Sequence, residues 1–211
     1  MTLMICALMA TSLAAAPEVS PVLASPEVRA EWDAWQERQG APRSPLACEE
    51  FWPGDALLCY QVVEERHLRW VTEADLARWA VTPAALRAQV TADAANRPLA
   101  GERRRVEGMD AWYWRADGAW SLSGLFDPQR LVREVGSPLL AVAVPSDGVL
   151  LAWPAGAAPL DQVMAVAVQE AWTTQRNPVC PVIYRWSGDK WLPYLEAVPK
   201  AAPQAAPAGD E

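Results

Sequence analysis

The segment Pro138 to Trp153 constrains the fold more than any other part of the chain. Leu139-Leu140-Ala141-Val142-Ala143-Val144 and Val149-Leu150-Leu151-Ala152-Trp153 are two apolar runs. Between them stands Pro145-Ser146-Asp147-Gly148. Proline presets φ, aspartate bonds its own backbone and glycine takes positive φ, so these four residues spell a turn. Short apolar runs bounded by turn residues read as strands. Neither run alternates with polar residues, so both faces of each strand must be covered. Strands of that kind sit centrally in a sheet.

Other segments supply the neighbours. Leu57 to Glu64 and His67 to Val71 read as a hairpin. Val182 to Trp186 and Trp191 to Leu195 read as another, around Ser187-Gly188-Asp189. Ala111-Trp112-Tyr113-Trp114-Arg115, then Asp117-Gly118, then Ala119-Trp120-Ser121-Leu122 form a third hairpin pattern. Helices alternate with these strands. Ser25-Pro26-Glu27 opens one that carries Val28, Trp32 and Trp35 and ends at Gly40. Thr72-Glu73-Ala74-Asp75 is a capping box for a short helix to Trp79. Thr82-Pro83 starts a helix to about Asn96, with Leu86 and Val90 on one face. Asp127-Pro128 starts one stopped by Gly136, and Leu160 to Thr174 is the last. Ala41 to Asp55 reads as a proline-containing loop. The short turns favour antiparallel pairing. The expected class is α+β (mixed α/β), a mainly antiparallel sheet with hairpins and helices packed against it. The expected organisation is a signal peptide over 1–14, a linker over 15–24, a single α+β domain over 25–198 and a disordered tail over 199–211.

Met1 to Ala16 carries no charged side chain. An apolar run, Leu3 to Met9, precedes a small-residue stretch, Ala10 to Ala16, which is the order of a signal peptide. Ser12-Leu13-Ala14 puts small residues at −3 and −1 for a cut before Ala15. The run is shorter than the ~20 residues that span a bilayer. The expectation is export, periplasmic or secreted, with no stable membrane span after cleavage. Export permits disulfides. Cys48 and Cys59 flank the short loop EEFWPGDALL and are the disulfide candidates, with Cys180 left over. Three reduced, buried thiols are the alternative.

A net charge of −8 disfavours nucleic acid as a partner, because phosphate contacts need a basic surface. Arg103-Arg104-Arg105 reads as a solvated strand edge or loop. No catalytic residues and no cofactor emerge. There is one histidine, His67, no C-x-x-C, no G-x-S-x-G and no glycine-rich phosphate loop, so no metal site is expected either. Carboxylates that could serve a glycosidase are Glu49-Glu50, Glu64-Glu65 and Asp110/Asp117, and surface solvation is the simpler reading of each. Twelve tryptophans offer a sharper candidate. Trp112 and Trp114 share a strand face, and Trp120 would join them across the hairpin. Such a face could stack on sugar rings or clamp a peptide, or it could pack under a helix.

Leu57 to Arg97, with Arg69-Trp70-Val71-Thr72-Glu73-Ala74-Asp75-Leu76 at its centre, resembles the YtpQ-like family of uncharacterised bacterial proteins. Ala143-Val144-Pro145-Ser146-Asp147-Gly148-Val149-Leu150-Leu151 is similar to that family's strand–turn–strand, and Tyr184 to Trp191 to its closing strand. The family's Arg-Asp in the turn is Asp147-Gly148 in this chain. The resemblance covers roughly Leu57 to Leu195 and implies a fold rather than an activity. The functional expectation is a non-enzymatic, extracytoplasmic domain that binds a protein or an envelope ligand, or serves as a structural accessory in the cell envelope. The alternative is a glycosidase-like hydrolase of envelope polymers that uses unidentified carboxylates.

Overall fold

The computed structural model describes residues 18–64, 67–99, 102–106, 108–115 and 119–196. The expected signal peptide, the expected tail, and Glu65, Asp117 and Gly118 lie outside them. The elements are β1 (Val19–Ala24), α1 (Val28–Gln39), β2 (Glu49–Trp52), β3 (Ala56–Glu64), β4 (His67–Trp70), α2 (Glu73–Trp79) and α3 (Pro83–Asn96). Then come β5 (Glu102–Val106), β6 (Met109–Arg115), a 3-10 helix (Ala119–Phe126), α4 (Pro128–Val135), β7 (Leu140–Ala143) and β8 (Val149–Pro154). The chain continues through α5 (Ala158–Thr174), β9 (Val182–Trp186) and β10 (Trp191–Glu196). The class is α+β.

Two antiparallel sheets form. In the first, the long strand β3 carries β1 along one edge, while β2 and β4 share the other. This corrects two expectations. Residues 19–24, read as linker, are β1, and every one of them is buried. Their proline and alanine content suggested a linker, but Val19 and Leu23 enter the main core and Ala24 packs on the opposite face. Pro21 is tolerated because β1 is an outer strand, where a missing N–H costs no ladder bond. Glu49–Trp52, read as loop, is β2, with a register shift between Glu50 and Trp52.

The second sheet has the order β10-β9-β7-β8-β6-β5. Strands β7 and β8 lie at its centre, as the paired apolar runs require. The third expected hairpin does not form. Residues Ala119–Phe126 are a 3-10 helix, and β6 pairs with β5 and β8 instead. Leu122 and Leu125, both buried, are three residues apart, the period of a 3-10 turn. Gly124 permits the close approach of α4, since a Cβ there would lie 2.7 Å from Leu131.

Strand alternation sorts the interior into layers. Leu58, Tyr60 and Val62 of β3 meet Trp114, Leu150 and Tyr184 of the second sheet in one core, which Leu86 and Val90 of α3 join. The other face of the second sheet packs Ala143, Leu151, Trp153 and Ile183 against Leu160, Met164 and Val168 of α5. Asp161, buried on α5, accepts from Trp153 Nε1 (2.8 Å), Tyr194 Oη (2.8 Å) and the Gly156 N–H (3.1 Å). Between the sheets Trp52 stacks on Tyr184 with centroids 4.1 Å apart, and the Tyr184 hydroxyl donates to Asp55.

Cys48 and Cys59 are joined as a disulfide. Glu49 lies opposite Leu58, so the β2–β3 register places Cys48 opposite Cys59. The disulfide sits where α1 meets the first sheet, beside Val28 and Trp70. Helix α1 ends at Gly40, whose φ of 61° favours glycine. It is tied back by Trp32 Nε1, which donates to the Ser44 carbonyl (2.9 Å), and by Gln36 Nε2, which donates to the same oxygen (3.1 Å). The bond closes a loop with a sequence separation of 11. In the chain-entropy description such a loop is worth about 3 kcal/mol. Replacing both cysteines by serine should therefore lower the urea-unfolding free energy by about 3 kcal/mol with the fold retained, as read by circular dichroism.

Candidate functional site

The residues singled out in the sequence do not converge. Trp112 is 7% and Trp114 3% exposed, and both belong to the core between the sheets. Across the ladder they face Ala152 and Leu150 of β8, on the side covered by the first sheet. Trp120 lies in the 3-10 helix, so no cross-hairpin pair exists. Of the two readings of that face, Trp112 and Trp114 follow interior packing. Another indole pair occurs on α1, where the half-buried Trp32 and the exposed Trp35 stack with centroids 4.9 Å apart.

Of the chemical candidates, Glu49 and Asp110 are engaged by other side chains and Cys180 is buried. His67 is exposed at the start of β4. Glu49 accepts the Tyr60 hydroxyl (2.9 Å) and pairs with Arg87 (3.1 Å). Asp110 is bound by Arg103 and Arg105, and Arg103 foremost holds its carboxyl below the usual range. Burial pushes the Cys180 thiol up to about 12, and nearby Asp55 adds to the effect. Its sulfur accepts the Val182 N–H at 3.3 Å. Cys180 is thus a protonated core residue. Among the described residues no group of three or more His, Cys, Asp or Glu is placed to hold a metal. No described helix is long and apolar enough to cross a membrane.

What the fold does leave open is a groove on the α5 face of the second sheet, of about 240 Å³. Its floor is Ala111 and Tyr113 of β6 with Val149 and Leu151 of β8. Its wall is α5, through Met164, Ala167 and Ala171. Ala167 and Ala171 are a helical turn apart, and their methyl groups cannot reach the sheet as Leu160 and Val168 do. Arg104 and Gln175 stand at the mouth. The Arg104 guanidinium lies 4.8 Å from the Tyr113 ring centroid and pairs with Glu102 at 2.8 Å. Glu102, Arg104 and Val106 lie opposite Tyr113, Ala111 and Met109 and share the groove face. Arg103 and Arg105 point to the other face.

A larger, polar crevice of about 470 Å³ lies between β1, α1 and the α5–β9 loop. It holds charges of both signs, Glu31, Asp147 and Arg176, and Asn177 donates to Asp147 at 2.9 Å. The first groove is apolar with few polar groups, the usual make-up of a ligand site. Sequence reasoning missed it. The two alanines of α5 were readable, but nothing in the sequence states that α5 lies over β6. Comparison of the chain with family models, with curated proteins and with solved structures finds no match.

Two outcomes test these placements. Trp114→Ala should cost about 3–5 kcal/mol in chemical denaturation, the range for emptying a core aromatic site. Cys180 should resist iodoacetamide in the folded protein at pH 8 and be modified rapidly in denaturant, as mapped by peptide mass.

Proposed function

We propose that this chain is an exported, non-enzymatic binding domain, and that the groove between α5 and the β5–β6 strands seats the apolar part of a protein or envelope ligand. The observation that carries the reading is the groove itself: an apolar hollow with one arginine and one glutamine at its mouth. Apolar volume supplies affinity, and the few polar groups fix orientation. Export is supported by the order of the N-terminal residues. A disulfide between Cys48 and Cys59 accords with an oxidising compartment. The binding reading is favoured over hydrolysis because Glu49 and Asp110 are each held by arginine rather than facing a shared cleft.

Filling the groove tests the reading. The full chain is titrated with anilinonaphthalene sulfonate, an apolar anion whose fluorescence reports an apolar site. The native protein should bind it saturably at one site. Ala167→Phe should weaken that binding by about tenfold or more, a loss of roughly 1.4 kcal/mol, with an unchanged Tm. Binding that does not saturate, or that is equal in the variant, overturns the proposal.

A further inference from the structure

The groove lies beside β5, an outer strand of the second sheet. Among the described residues β5 pairs with β6 alone, so one side of its backbone has no strand partner. Of the other outer strands β4 is short, the four residues His67–Trp70, and the remaining three are blunted. β1 is buried throughout and carries Pro21. β10 carries Pro193 with a register shift beside it. β2 has its own shift, between Glu50 and Trp52. In contrast, β5 runs Glu102 to Val106 against β6 without shift or proline. A regular, unpaired edge is a template for another strand.

Charge selects which strand. Arg103, Arg104, Arg105 and Arg115 on β5 and β6 face only two carboxylates there, Glu102 and Asp110, in a chain of net charge −8. Within β5 the imbalance has a side. On the groove face Arg104 is matched by Glu102, and Arg115 lies on that face past the described end of β5, opposite Val149. On the opposite face Arg103 and Arg105 share the single carboxylate of Asp110. A second copy of the chain is a poor occupant, because edge-to-edge pairing would set arginine against arginine.

We propose that β5 accepts an extended peptide as an added strand, and that the peptide alternates acidic and apolar residues. The proposal rests on the groove being a ligand site and names its ligand. Side chains of an added strand alternate between faces. Those beside Arg104 and Val106 point over the groove and are apolar. Those beside Arg103 and Arg105 point to the other face and are acidic, supplying the carboxylate that this face lacks. Backbone bonds to the β5 edge give affinity, and the alternation gives specificity.

The test uses the full chain and fluorescence-labelled octapeptides. A Glu-Val alternating peptide should bind saturably and displace anilinonaphthalene sulfonate. A Lys-Val peptide should bind about tenfold more weakly or worse. Arg105→Glu should reverse that preference. N-methylation of one alternate set of the Glu-Val peptide's amides should abolish binding, and of the other set should spare it, because only one set can face β5. Equal tolerance of both sets, or Glu-Val and Lys-Val peptides binding alike, overturns strand addition. If the naphthalene probe binds and no peptide does, the peptide ligand is refuted and the groove reading survives. If neither binds, both fall.

Discussion

The fold depends on the burial of β7 and β8 on both faces. Leu140, Val142, Leu150 and Ala152 serve the core between the sheets, and Ala141, Ala143, Leu151 and Trp153 serve the core under α5. A sheet with such a centre needs a layer on each side. One side receives the first sheet together with α3, α4 and the 3-10 helix. The other receives the single helix α5. A helix about 10 Å across covers roughly two strands spaced ~4.8 Å apart. One helix cannot roof six strands, so the β5–β6 end stays partly open. The groove is a geometric consequence of the layering, and Ala167 and Ala171 enlarge it.

The two sheets are held in register by more than apolar contact. The β2–β3 turn carries Trp52 and Asp55, and both engage Tyr184 of β9, one by stacking and one by accepting its hydroxyl. Burial and the Asp55 carboxylate both raise the Tyr184 pKa, so the phenol stays a donor. At the opposite end of the same two strands the disulfide fixes Cys48 against Cys59. Helix α1 hangs from this point: of its residues only Gln36 is buried, and its side-chain bonds go to Ser44 and Cys48. The disulfide therefore anchors a helix that has little core of its own.

Local chemistry was legible where it acts over a few residues. The capping box at Thr72 forms, with the Asp75 carboxylate accepting the Thr72 N–H at 3.0 Å. Asp127 caps α4 and Gly136 closes it, as their residue types dictate. Failures came where long-range pairing overrode local pattern. Nothing near Val19 announces that β3 lies 41 residues on from Ser20 and will bury it. The β6 segment looks like half of an Asp-Gly hairpin, yet its partners are β5 before it and β8 far after it. The aromatic residues of β6 were identified by face, but which face meets solvent is decided by the sheet opposite. The groove was illegible for the same reason, since its walls combine β5 and β6 with β8 and α5, two segments remote from each other in sequence.

The arginines of β5 have two roles. A charged outer strand resists indiscriminate pairing, because a neutral or basic strand gains nothing from it and leaves charges unmatched. The same charges leave an acidic strand as the favoured exception. Self-association and ligand choice are then set by one feature. An edge neutralised at every arginine would protect without selecting. This edge leaves Arg103 and Arg105 with one carboxylate between them, so its protection is incomplete for a single class of partner. That incompleteness, next to an apolar groove on the other face of the same strand, is what makes β5 a site rather than a blunted rim.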